Sequence, residues 1–153
     1  EAFYLQTLFN APVFILKKEL LRIPIFGWYL KKIGSISIER NKTTKNNLGF
    51  FESIIRLINT SNRPIIIFPQ GTRLNPKDRL PFKKGAARIY EELKIKCQPI
   101  AINSGYTWPK KGPKFKNKNL TISILSPIES GMDKRDFLKK LESSIYLELD
   151  KLN

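Results

Sequence analysis

Pro64-Ile65-Ile66-Ile67-Phe68-Pro69-Gln70-Gly71-Thr72-Arg73 decides the architecture of this chain. Three isoleucines and a phenylalanine between two prolines predict a short buried strand. Such side chains suit a pleated surface, and proline at each end stops the ladder. The loop that follows is stiffened by Pro69, allows close backbone approach at Gly71, and offers the Thr72 hydroxyl and the planar fork of Arg73. Ligands of open α/β sheets usually sit where a strand ends in this way. Taken alone, the same residues describe equally well a turn carrying a solvated arginine.

Outward from this stretch, strand and helix signals alternate. On the amino side, residues 1–9 pattern as a helix broken by Asn10-Ala11-Pro12, and residues 13–16 as a buried strand. Residues 19–33 read as a helix bent at Pro24 and Gly27 and ended by Gly34, and residues 35–38 as a strand. Thr43 or Thr44 can cap a helix whose apolar stripe is Phe51, Ile54, Ile55 and Ile58. On the carboxyl side, Ala86, Ile89, Tyr90 and Leu93 share one face of a helix, and residues 100–102 and 120–125 read as strands. Asp133 caps a last helix with Phe137, Leu138, Leu141, Ile145 and Leu149 inward. This alternation predicts a single α/β domain over residues 1–153, with a largely parallel sheet flanked by helices.

Composition narrows the chemistry. The chain has 153 residues, 28 basic and 13 acidic side chains, a formal charge of +15, and no histidine. Its 41% hydrophobic content separates it from a disordered polycation. The single cysteine, Cys97, excludes an internal disulfide framework and reads as a small apolar residue on a buried strand. Without histidine the chain itself holds no Ser-His-Asp or Cys-His site, no His-ligated zinc and no imidazole base. The longest uncharged stretch, residues 2–16, falls short of the roughly 20 residues needed to span a bilayer, and no signal peptide is visible. A first residue of glutamate leads us to expect that an upstream segment is missing.

Two further constellations carry charge. Phe82-Lys83-Lys84-Gly85 sets two lysines before a helix, against its dipole, an arrangement eased by a nearby anion. Arg40 ends the strand after Ile38-Glu39 much as Arg73 follows its own strand. In a parallel sheet both would lie at the carboxyl edge, able to hold one anionic group. Lys110, Lys111, Lys114, Lys116 and Lys118, interleaved with Trp108 and Phe115, form a basic loop suited to an anionic membrane surface or an acidic carrier protein. A basic nucleic-acid-binding module is the competing class. We find no zinc spacing, RNP-type strand or Gly-x-x-Gly loop to support it, and expect no nucleic-acid partner.

Read together, these segments resemble the 1-acylglycerol-3-phosphate acyltransferase family of phospholipid biosynthesis. The matching order is Lys17-x-Glu19-Leu20, Pro24-x-x-Gly27, Ile38-Glu39-Arg40, Phe68-Pro69-x-Gly71-Thr72-Arg73, Lys84-Gly85 and Pro99-Ile100-Ala101-Ile102, covering essentially the whole chain. The resemblance implies a glycerolphosphate acyltransferase-like fold. It also implies transfer of a fatty acyl group from an acyl carrier protein or coenzyme A thioester to the free hydroxyl of lysophosphatidate, giving phosphatidic acid. Arg40 and Arg73, with Lys17, would bind the substrate phosphate, and Gln70, Gly71 and Thr72 would shape the loop. The family's first motif is a histidine, four spacers and an acidic residue. Glu1 falls at the acidic position and would orient a histidine lying outside this chain. Two departures stand out: Glu1 replaces the usual aspartate, and Gln70 replaces the usual glutamate, keeping its size but not its charge. No metal and no cofactor beyond the thioester co-substrate is implied. The expected location is the cytoplasmic face of a bacterial inner membrane, reached peripherally or through a missing N-terminal anchor. A related enzyme acting on lyso-ornithine lipid is the alternative within the class.

Overall fold

Val13-Phe14-Ile15-Leu16-Lys17 forms β1, the strand around which the first half of the chain is built. The computed structural model describes residues 2–38, 48–72, 74–75, 77–109 and 119–152. It divides into two compact units, Glu1–Phe68 and Pro69–Asn153.

In the first unit, β1 lies between β2 (Ile36–Ile38) and β3 (Ile65–Ile67), in the order β2-β1-β3, with both pairings parallel. The register runs Ile15↔Ile36 to Lys17↔Ile38 on one side and Val13↔Ile65 to Ile15↔Ile67 on the other. Central β1 buries Val13, Phe14 and Ile15. The isoleucines of β3, expected to be buried, are only half-buried because β3 is an outer strand of the three. Helix α1 (Ala2–Leu8) precedes β1, and α3 (Leu48–Thr60) packs against β2. The buried face of α3 is set by Phe50 and Ile54, one turn apart. Ile55, expected on that face, is 45% exposed, because it lies at the margin of a broad apolar stripe centred on Phe50 and Ile54. The cap residues Thr43 and Thr44 lie outside the described residues.

Residues 19–33 do not form one bent helix. A 3-10 helix (Lys18–Arg22) and α2 (Phe26–Lys32) are separated by Ile23-Pro24-Ile25, since Pro24 cannot donate to a continuous ladder. The two pieces touch at Gly27, where a Cβ would run into the Leu21 carbonyl. Helix α2 ends at Gly34 as the sequence predicts. With φ +76°, Gly34 donates to Lys31 O and Ser35 to Leu30 O, both at 3.0 Å, which is a Schellman closure.

The second unit joins α4 (Gly85–Leu93), β4 (Ile100–Ile102), the short α5 (Ser104–Thr107), β5 (Ile122–Ile124) and α6 (Lys134–Lys151). Here β4 and β5 pair antiparallel, so the parallel sheet of the chain is the three-stranded one. Asp133 caps α6 as expected, accepting from Arg135 N at 2.8 Å. Phe137, Leu141 and Ile145 face inward, Leu138 and Leu149 only partly. Tyr90 of α4 stacks on Phe137 of α6, centroids 3.8 Å apart. Cys97, expected on a buried strand, is half-buried and pairs with Ile128 in an isolated antiparallel bridge; burial pushes its thiol pKa up to about 11, which leaves it a poor nucleophile.

Candidate active site

Parallel pairing brings the carboxyl ends of β1, β2 and β3 to one edge, the edge where α/β sheets hold ligands. Lys17 is the last residue of β1 and exposed, and its side chain has no hydrogen bond or ion pair among the described residues. It sits opposite Ile38, the last residue of β2, two positions before Arg40. β3 runs on to Phe68, whose ring lies parallel to that of Phe14 in β1, centroids 6.5 Å apart. Glu1, Arg40 and Arg73 lie outside the described residues, as do the five loop lysines and Phe115.

The loop after β3 opens the second unit. Gly71 has φ +69°, a conformation that favours glycine, and Gln70 is half-buried while Thr72 is exposed. Pro69 O accepts from Lys83 N at 2.9 Å, and Phe82 N donates to Glu142 Oε2 at 2.7 Å. The Phe82-Lys83-Lys84 segment is therefore tied at its backbone both to the motif loop and to α6. The Lys83 and Lys84 side chains stay exposed at the start of α4, which has no acidic residue in its first turn.

The opposite, amino edge of the parallel sheet is built differently. Arg63 donates from Nε to Ala11 O and from Nη2 to Ile33 O, each at 2.6 Å. It thereby clamps the entries to β1 and β2 just before β3 begins, where Val13 N also donates to Pro64 O at 2.9 Å. A Cβ on Gly34 would come within 3.1 Å of Arg63 Nη1, so the glycine that ends α2 also makes room for the clamp.

Sequence reasoning overlooked two positioning residues. Arg63 has no local signature, because its partners lie 52 and 30 residues away. Asn103, the residue after β4, is the other. It is buried, its Oδ1 accepts from Thr121 N at 2.7 Å and its Nδ2 donates to Asn119 O at 3.4 Å. It thus closes the neck of the segment that carries the basic loop. Its signal was an asparagine at a strand-to-turn junction, where a side-chain amide readily replaces backbone partners.

The parallel sheet flanked by helices, with Lys17 at its carboxyl edge, sets the class, and residues 2–103 match the family described as Acyltransferase. The chain belongs to that family. Among its relatives, the 1-acyl-sn-glycerol-3-phosphate acyltransferase of Pseudomonas aeruginosa is 30% identical over 115 residues, 73% of this chain and 43% of the relative. The enzyme of the same name from Helicobacter pylori is 40% identical over 92 residues, 59% of this chain and 38% of the relative. The crystal structure of the 1-acyl-sn-glycerophosphate (LPA) acyltransferase PlsC from Thermotoga maritima shares the fold. Its TM-score is 0.71 at 21% identity, over 93% of this chain and 57% of that one. The chain thus spans between about two fifths and three fifths of these proteins.

Proposed function

We propose that the chain is the acyl-transfer domain of a 1-acylglycerol-3-phosphate acyltransferase, moving a fatty acyl group from a thioester to lysophosphatidate and releasing phosphatidic acid. The observation that carries this reading is the parallel exit of β1 and β2 at one edge, leading to Lys17 and to the Ile38-Glu39-Arg40 motif, in a chain of the Acyltransferase family. The names of its relatives in bacteria and yeast support the acceptor.

In this reading Arg40 and Arg73, with Lys17, hold the acceptor phosphate, and the loop Gln70-Gly71-Thr72 shapes the approach. Positioning the hydroxyl against the thioester carbon then supplies part of the rate. The hydroxyl proton passes to an imidazole as the oxygen attacks. Collapse of the tetrahedral intermediate breaks the carbon–sulfur bond, and the leaving thiolate recovers the proton. These 153 residues contain no imidazole, so the base comes from chain outside them, oriented by Glu1. The thioester is carried by acyl carrier protein or coenzyme A, with no metal or further cofactor. The work is done at the cytoplasmic face of a bacterial inner membrane.

The test is formation of phosphatidic acid from labelled lysophosphatidate, with acyl-coenzyme A and acyl carrier protein thioesters offered separately. The chain alone should run at background. A form extended upstream to include a histidine should be faster by about 10²–10⁴, the usual contribution of a general base. Full turnover by the 153 residues alone would overturn the missing base. Turnover of lyso-ornithine lipid in place of lysophosphatidate would overturn the acceptor.

A further inference from the structure

The turn between the 3-10 helix and α2 exposes an apolar wedge. Pro24 O accepts from Phe26 N and closes a γ-turn around Ile25, with φ +62° and ψ −56°. That hand of the γ-turn is rare and strained, and a β-branched residue is the least suited to it. Ile25 is nonetheless 84% exposed, and its neighbours Ile23 and Trp28 are 46% and 64% exposed. Trp28 lies three residues after Ile25, and Lys31 and Lys32 lie three and four after Trp28, so they follow one stripe of α2. Lys32 Nζ rests 4.9 Å from the Trp28 ring centroid. The buried side of the helix is Gly27 and Leu30, and contact of Gly27 with the Leu21 backbone fixes the wedge to the 3-10 helix.

Nothing among the described residues compensates Ile25 for its strain or its exposure. The surroundings indicate what would. Lys17, Lys18, Arg22, Lys31 and Lys32 accompany a single acid, Glu19, between residues 17 and 32. An occupant must offer an apolar layer for Ile25 and Trp28 and anions immediately outside it. An anionic bilayer does both: indole rings favour the headgroup boundary, and lysine stems lie along apolar surface with their amines at the phosphates. Among the described residues no helix is long and apolar enough to cross a membrane, so the contact is at the surface.

We propose that residues 23–28 are a membrane-docking wedge, with Ile25 and Trp28 entering the headgroup boundary and Arg22, Lys31 and Lys32 meeting lipid phosphates. This deepens the proposed function by naming where the chain meets lipid, and it rests on that reading only for the choice of partner.

The experiment is vesicle co-sedimentation of the whole chain, without acyl donor or lysophosphatidate, on phosphatidylglycerol-containing and on pure phosphatidylcholine vesicles. Binding should need the anionic lipid, and Trp28→Ala or Ile25→Ser should weaken it by about tenfold or more. In a Trp108→Phe background, Trp28 emission should shift to the blue on binding. Ile25→Gly controls for folding: glycine relaxes the turn, so the thermal midpoint should hold or rise while vesicle binding falls. Unchanged binding by Ile25→Gly and Trp28→Ala would overturn the proposal. So would a vesicle-independent dimer that Trp28→Ala dissolves, since a second copy would then cover the wedge. Acyl transfer to a short-chain, water-soluble lysophosphatidate by the upstream-extended form separates the two readings. It survives failure of the wedge, and vesicle binding survives failure of the enzyme reading.

Discussion

The two edges of the parallel sheet both carry cations, and they use them in opposite ways. At the amino edge, the Arg63 guanidinium is occupied by two backbone carbonyls, Ala11 O and Ile33 O, and is part of the fold. At the carboxyl edge, Lys17 is exposed and its side chain has no partner among the described residues. The first cation satisfies acceptors that the chain itself left open. Around the second, no such acceptor stands among the described residues. The difference assigns the clamp at the amino edge to stability, and it makes Lys17 the described cation of the carboxyl edge on which binding can be tested.

The largest effect should come from removing the clamp. Arg63→Ala deletes two charge-assisted hydrogen bonds and leaves carbonyls beside two strand entries without their donor. We expect a loss of about 2–4 kcal/mol in urea or thermal unfolding. Arg63→Lys should recover only part of it, because an ammonium does not span both carbonyls as a fork does. If Arg63→Ala leaves stability unchanged, the contrast between the edges fails.

A smaller effect of the same origin is expected at Gly34. An alanine there must adopt φ +76° and crowd Arg63 Nη1, so Gly34→Ala should cost about 1–2 kcal/mol by chemical denaturation. Combined with Arg63→Ala its cost should shrink, since the crowding is then gone. Strict additivity of the two would show that Gly34 serves only the end of α2.

What was legible in the sequence follows from how local each interaction is. β1 and β3 were readable because short apolar runs between breaks have few alternatives, and α6 because the Asp133 cap and the Phe137, Leu141, Ile145 spacing lie within one segment. The inward face of α3 was legible only in part: Phe50, Phe51, Ile54, Ile55, Leu57 and Ile58 make one broad apolar stripe, and only packing against β2 shows that its centre lies at Phe50 and Ile54 rather than at Ile55. The break in residues 19–33 was half-readable: Pro24 announced it, but the turn at Ile25 violates the preference of its own side chain. The Arg63 clamp was invisible, because a side chain bonding carbonyls 30 and 52 positions away leaves no periodicity. Motif order named Arg40, Arg73 and Glu1, yet these lie outside the described residues, so Lys17 is the phosphate-binding candidate whose setting is known.

Lys17 therefore carries the sharpest, if smallest, test of the contrast. An exposed lysine at the end of a strand, whose side chain has no partner among the described residues, contributes little to folding, so Lys17→Ala should change unfolding free energy by less than about 0.5 kcal/mol. Its effect should appear instead in binding. Affinity of the chain for lysophosphatidate should fall by about three- to tenfold, more at low ionic strength than at high, as expected for an exposed charge within a Debye length of its ligand. Lys17→Arg should retain most of the affinity and Lys17→Gln should not, because the requirement is for positive charge rather than size. Equilibrium binding measured at two salt concentrations, beside a denaturation curve for each variant, separates the possibilities. A Lys17→Ala variant that unfolds as easily as Arg63→Ala would place both cations in the fold. One that binds lysophosphatidate as tightly as the parent at low salt would move the phosphate site away from the end of β1.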